Sequence, residues 1–336
     1  MNFDPQLSSG VAVFMALLAA SMWGTWFISL KHIGDYPLDG FFITLFATSV
    51  VFVWVVALLI DGGAVAANIA TVWAQDQSRI LVVLGGGSIY VMGMRFSLSV
   101  QRTLGLSLAQ PIQSAIGTIS SLAITMVVGG VPAGVSVLRL VGATFVLILA
   151  VLLAMYAGRL RSKSQATQAK NGAYVPMSAL WRSLGLIFLG SLLTPAYPFA
   201  LSYGLKSTTQ PNGLAVLPFM ALLATGAFLG SILTSGVALT RHGEWHRVFT
   251  APWRTHKFGV WSGLFHYGGN IIHTFSTAFL SASIAFPLGI TAGLWTQMWG
   301  LVYGEFKGSP RRAYVALAGG ILLYVIGGYI IATTPR

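Results

Sequence analysis

Four polar residues interrupt one apolar stretch at steps of four, three and four: His266, Asn270, His273 and Thr277. On a helix those steps gather the side chains onto one face. Two imidazoles, an amide and a hydroxyl donate and accept hydrogen bonds, and an imidazole exchanges a proton near neutral pH. No carboxylate accompanies them. All seven acids, Asp4, Asp35, Asp39, Asp61, Asp76, Glu244 and Glu305, fall at the ends of apolar runs or between them. Such a face suits a small neutral polar solute better than a cation. Proton coupling would then rest on His266 or His273, with Glu305 as the third titratable candidate. The competing reading is that the stripe bonds helix to helix.

The elements that must hold this face are set by composition. Of 336 residues, 55% are hydrophobic and only 8% charged, whereas soluble proteins carry about 25% charged residues. Apolar runs of about 18 residues or more read as membrane-spanning helices. Ten are expected, near 9–30, 41–61, 79–100, 105–128, 137–158, 180–203, 211–238, 257–279, 282–303 and 312–333. Asp4 precedes the first, which lacks a basic start and a clear cleavage site, so a span is expected there rather than a cleaved leader. The net charge of +12 is a topology signal. If ten helices alternate, the face bearing the segment 159–179 collects fourteen of the nineteen Lys and Arg residues. That bias places the linker in the cytoplasm and both termini outside, in a plasma or inner membrane. The same face would meet anionic lipid headgroups, and nucleic acid is not an expected partner. No cysteine is present, so disulfides and thiolate chemistry are excluded.

A phrase repeats at an offset of 176 residues. Ser107, Ala109, Pro111 and Gly117 in LSLAQPIQSAIG recur as Ser283, Ala285, Pro287 and Gly293 in ASIAFPLGITAG. Upstream, Gly87 pairs with Gly263, Gly93 with Gly269 and Tyr90 with His266. Five spans per copy is an odd number, so the second copy is inverted, as in many secondary transporters. The expected fold is therefore an all-α polytopic membrane protein of ten helices in two inverted five-helix repeats, 1–158 and 180–336, joined by a cytoplasmic linker, 159–179. Pro111 and Pro287 each bend or open a helix near its start. Ser107 and Ser283 are placed to serve the freed carbonyls, and the two bent hairpins are candidate gates.

Further candidates for a central cavity follow from the same pattern. Helix 1 offers Trp23, Thr25 and Trp26, the tryptophans being alternatively interface anchors. Helix 3 offers Tyr90, Met94, Ser97 and Gln101; helix 4, Gln110 and Gln113; helix 6, Tyr197; helix 9, Thr291 and Trp295. Arg95, near the end of helix 3, is expected to snorkel to the headgroups, or else to pair with Glu305 or touch substrate. No metal-ligand set, Walker lysine or nucleophile elbow appears, so neither an enzyme nor a cofactor is expected.

The segment LWTQMWGLVYGEFKGSPRRAY (294–314) resembles the last-hairpin motif of the ureide permeases, and GTWFISL (24–30) is similar to their first helix. VQRTLGLSLAQPIQSAIG (100–117) also resembles the bacterial rhamnose transporter and the glucose/ribose porters. All are branches of the drug/metabolite transporter superfamily. The resemblance covers about a third of the chain. It implies ten helices in two inverted repeats, a central substrate site near helices 1, 3, 4, 6, 8 and 9, and transport linked to protons or sodium. Plant ureide permeases carry a longer central segment with a Walker-like motif, which 159–176 lacks. Sugars and purine-derived ureides or nucleobases are the leading substrate classes. A drug or amino-acid exporter of the same superfamily is the nearest alternative, and a channel or membrane enzyme stands behind it.

Overall fold

The structure, a computed structural model, describes residues 7–104, 117, 119–168, 185, 186 and 188–334. Gln110, Gln113, Pro111 and Ser107 lie outside the described residues, as do the side chains of Ser97 and Gln101.

Helix α1 covers Ser9–Thr25 and tightens into a 3-10 segment, Trp26–Lys31. It is followed by α2, Leu38–Asp61, α3, Ala64–Gln75, and α4, Gln77–Leu104. Residues 119–127 form α5, and α6 covers Val137–Gln168. Residues 188–193 form α7, followed by α8, Ala196–Gly204. Helix α9, Val216–Ser231, passes through a π turn, Ile232–Gly236, into α10, Val237–His242. The chain closes with α11, Trp245–Phe249, α12, Trp253–Leu280, α13, Ala282–Gly289, α14, Ala292–Val302, and α15, Arg311–Ala332. The described strand-like pairing is limited to isolated bridges, Leu205 with Leu214 and Ser207 with Gln210.

Six stretches among the described residues are long and apolar enough to cross a membrane: Ser9–Lys31, Leu38–Asp61, Gln77–Phe96, Val137–Arg161, Val216–His242 and Arg311–Ala332. The chain is an all-helical, membrane-embedded protein. Of the remaining expected spans, α12 is a continuous 28-residue helix, about 42 Å long at 1.5 Å per residue. Its histidines, asparagine, hydroxyls and glycines keep its hydropathy low. The run expected at 282–303 is broken into α13 and α14 at Ile290–Thr291. Helix α6 continues to Gln168, ten residues past the boundary read at 158.

Small residues let these helices approach at backbone distance. Ser276 Oγ donates to the Ala12 carbonyl at 2.7 Å and Ser262 Oγ to the Trp26 carbonyl at 3.1 Å. Midway, a methyl on Gly269 would sit 3.2 Å from the Ala19 carbonyl. The spacing of seven matches two helical turns, and the rising numbers on α12 meet falling ones on α1, so the two are antiparallel. Helix α4 lies against α7 and α8 in the same way: a methyl on Gly93 would sit 2.9 Å from Gly190 O, and one on Gly86 would sit 3.0 Å from Ala196 O.

Two parallel contacts share a second pattern. On Gly87 a methyl would lie 2.4 Å from Leu223 O of α9, and on Gly263, 2.6 Å from Leu45 O of α2. Gly226 presses on Leu84, and Gly230 on Ser88, keeping α4 and α9 in step. Helix α15 crosses α6 antiparallel, with Gly327 near Ala143 O and Gly320 near Ala150 O. Glycine is required at these sites because any Cβ meets backbone that has nowhere to move.

Between α12 and α13 the turn is a single residue, Ser281, buried at φ 74°. Its Oγ bonds Ser283 Oγ at 2.9 Å. Ser283 therefore braces the turn instead of serving the carbonyl freed by Pro287, as expected from sequence. Pro287 lies inside α13, three residues before the break.

Candidate functional site

Where α1, α4, α8, α12 and α13 meet, polar groups and aromatic rings close on one another. The α12 stripe supplies His266, Asn270 and His273, buried because α1, α2, α9 and α13 pack on α12. Trp23 Nε1 donates to Asn270 Oδ1 at 2.7 Å. Tyr90 Oη and His266 Nε2 are 2.6 Å apart, linking α4 to α12 across 176 residues. The His273 Nε2 bonds the Ala285 carbonyl of α13 at 3.1 Å, which fixes that nitrogen as the donor. Thr277 Oγ1 donates to the His273 carbonyl at 2.8 Å and caps its own turn.

Rings surround these bonds. Trp23 lies 4.7 Å from the His273 ring and 6.3 Å from Tyr197; Tyr197 is 5.6 Å from Tyr90 and 6.4 Å from Phe286. Trp26 stacks on Phe27 at 3.9 Å and meets the His266 ring edge-on at 5.3 Å. Three buried polar atoms, Tyr197 Oη, His266 Nδ1 and Tyr267 Oη, have no hydrogen-bond partner among the described residues. A group left so costs about 1–3 kcal/mol unless a solute completes it. Aromatic faces beside unfilled donors and acceptors are the kind of chemistry that recognises a small planar or ring-shaped polar molecule.

Of the residues expected from sequence, Trp23, Trp26, Tyr90, Tyr197, His266, Asn270 and His273 assemble here. Three others lie apart. Thr25 Oγ1 donates to Ser21 O and accepts from Trp299 Nε1, toward the end of α1. Thr291 Oγ1 donates to Leu288 O at the α13–α14 break. Trp295, 37% exposed, packs on Gly24. Glu305 is not brought to the histidines. It lies in the α14–α15 connection, bonded by Lys31 and Arg161. Burial raises its carboxyl pKa, but hydrogen bonds and charge from Lys31 and Arg161 outweigh that and hold it below the usual range.

Arg95 pairs with Asp39 and not with Glu305. It donates from Nε to Asp39 Oδ1 at 2.6 Å and from a terminal nitrogen to Oδ2 at 3.1 Å, with Ser235 of the π turn at 3.2 Å. Tyr267, fully buried beside His266 with its ring 6.2 Å from Phe46, and Phe286 belong to the site but not to the expectations. Neither interrupts an apolar pattern, so nothing in the polar spacing marks them. Among the described residues no three His, Cys, Asp or Glu side chains come together as metal ligands.

Neither a family model nor a curated protein matches this chain. One solved structure, described only as "Crystal structure of protein", aligns over 95% of this chain and 95% of its own at 15% identity and a TM-score of 0.47.

Proposed function

We propose that the chain is a secondary transporter of a small, neutral polar solute, a sugar or a purine-derived ureide or nucleobase, working by alternating access between two inverted five-helix repeats. The observation that carries this reading is the bond between Tyr90 and His266. These residues are each other's counterparts at the 176-residue offset, and a bond between counterparts is expected where the twofold axis of an inverted repeat passes.

Other contacts obey the same exchange. Gly87 on Leu223 answers Gly263 on Leu45, at offsets of 176 and 178. Gly86 on Ala196 answers Ser262 on Trp26, and Gly93 on Gly190 answers Gly269 on Ala19, with α1 displaced by 170 or 171. Helix directions agree with ten alternating crossings: first and eighth antiparallel, second and eighth parallel, third and seventh parallel, fifth and tenth antiparallel. The resemblance to the ureide permease and rhamnose transporter branches of the drug/metabolite transporters supports the same architecture. On it, the linker face is cytoplasmic and both termini are outside. Residues of both halves meet in the aromatic cluster, where alternating access requires the solute to bind. With no acid in the cluster, a coupled proton would use His266 or His273, and a coupled sodium ion carbonyl and hydroxyl oxygens.

Purified protein should gain thermal stability with one of a panel of sugars, allantoin, uracil and xanthine, because a ligand that binds the folded state raises its apparent stability by mass action. His273→Ala or Asn270→Ala should remove that gain. Unchanged affinity in both variants overturns the choice of binding face, and transport undiminished after crosslinking both hairpins overturns alternating access.

A further inference from the structure

Where α1 ends, a narrow crevice of about 80 Å³, open to solvent at its mouth, lies between its last turns, α6 and α14. Gly24, Ala154, Gly158 and Gly300 leave the room, while Phe27, Ile28 and Phe306 give it apolar walls. At the mouth one carboxylate, Glu305, is bonded by two cations, Lys31 and Arg161. The side chains are 31%, 14% and 25% exposed for Lys31, Arg161 and Glu305, so this pairing is partly withdrawn from water. Lys31 lies over the Tyr303 ring at 4.6 Å and Arg161 over the Phe306 ring at 5.2 Å. Those aromatic faces hold both cations in place.

The charge does not balance. Glu305 is the last acid in the chain, whereas Lys307, Arg311 and Arg312 follow it within seven residues. Arg161 Nε is buried with no hydrogen-bond partner among the described residues. Two cations converging on a single acid, with a donor to spare, make a site for one further anionic group. A guanidinium presents a fork that matches phosphate. Next to the crevice lining of α14, Leu301 and Val302 are exposed apolar side chains, a surface that faces lipid in a membrane protein.

We infer that this crevice binds the phosphate of an anionic phospholipid from the leaflet on the linker face, with Glu305 as the built-in carboxylate that competes for the same cations. The phosphate pairs with Arg161 and Lys31, and an acyl chain lies along Phe27 and Ile28. Basic pockets between membrane helices on the positive side of the protein recognise such headgroups. The site depends on the membrane setting alone and is independent of any transported solute.

Native mass spectrometry of the detergent-purified protein, titrated with dioctanoyl phosphatidylglycerol, counts the bound lipid directly. One tight phosphatidylglycerol is expected, with dioctanoyl phosphatidylcholine bound at least about tenfold more weakly, about 1.4 kcal/mol, because its choline cation is repelled by Lys31 and Arg161. Arg161→Gln should weaken phosphatidylglycerol by a similar factor. Glu305→Gln should tighten it several-fold, because the competing carboxylate is gone and both cations remain. Loss of fold would lower binding in both variants, so the gain in Glu305→Gln is the decisive result and stands even if Arg161→Gln does not fold. Equal binding of the two lipids, or weaker binding in Glu305→Gln, overturns the site. Inorganic phosphate displacing phosphatidylglycerol at equal concentration overturns the lipid as its ligand.

Discussion

Helices α4 and α12 carry the same packing and different chemistry. At positions 176 apart, Gly87 and Gly263 admit a neighbouring backbone, as do Gly93 and Gly269, while Gly86 and Ser262 each face a carbonyl. Between these shared positions the helices diverge. Helix α4 offers Tyr90 and Met94, and α12 offers His266 and Asn270 at the corresponding places, with His273 a turn further on. Backbone approach tolerates one residue type, so those positions stay alike. Side chains that face a solute answer only to the solute, and one half is free to supply most of the polar groups. On the proposed transporter reading, the α12 face is the recognising side and α4 its support.

The largest effect that would break this comparison lies at the glycines. Gly87→Leu and Gly263→Leu each drive a side chain into a carbonyl within 2.6 Å of the new Cβ. Each should cost at least about 3 kcal/mol, the upper part of the overpacking range, read as loss of monodisperse protein and a lower unfolding midpoint in detergent. Similar losses at both support equivalence; a tolerated Gly87→Leu beside a failed Gly263→Leu breaks it. The bond between Tyr90 and His266 comes next. Tyr90→Phe leaves His266 Nε2 buried without its partner and should lower stability by about 1–3 kcal/mol. In a double-mutant cycle with His266→Ala, the coupling should be at least about 0.5 kcal/mol, whereas strict additivity would remove the bond from the account.

How much of this was legible in sequence depends on whether spacing encodes it. The stripe at 266, 270 and 273 was visible because polar residues in an apolar helix are costly and keep helical register. Glycine matches at one offset marked the close contacts, since a glycine facing backbone is a constraint on one position. Tyr267 and Phe286 were not visible, because an aromatic residue in an apolar helix is ordinary. The Arg95–Asp39 pair escaped notice as well. It joins residues 56 apart, and it forms only because α2 and α9 bring Asp39 and the π turn to Arg95. Which of the ten apolar runs are continuous was equally hidden: α12 is one helix despite its polarity, while the break after α13 follows a proline inside the helix and a local turn.

A smaller effect sharpens the one position where packing and chemistry overlap. Ser262 is the hydroxyl-bearing counterpart of Gly86. Ser262→Gly should cost roughly 0.5–1.5 kcal/mol, the net worth of its bond to the Trp26 carbonyl. Gly86→Ser should cost more, because its Cβ would lie 2.8 Å from Ala200 Cβ and 3.0 Å from Ala196 O. Unfolding midpoints in one detergent decide the order, and the reverse order would mean that α1 and α8 are not equivalent neighbours.

The smallest expected effect separates the two ends of the bundle. Asp76, exposed where α4 begins, is held below the usual carboxylate range first by the hydroxyl and amide of Ser78 and then by Arg79, all within three residues. Glu305 is held low, against burial, by Lys31 and Arg161, which lie 274 and 144 residues away. Local partners survive unfolding in part, whereas distant ones do not, so of these two acids Glu305 is the one whose pairing stabilises the folded state more. Its folded pKa lies below its unfolded one. The contribution is therefore complete above the ordinary glutamate pKa and disappears as pH falls through the depressed value. Because the pair is partly exposed and screened, it should amount to less than about 1 kcal/mol. Comparing the native chain with Glu305→Gln, the gap in unfolding midpoint should be present at neutral pH and close on acidification. A gap independent of pH would assign Glu305 a packing role, and the linker-side ion pairs would then no longer distinguish that end of the molecule from the other.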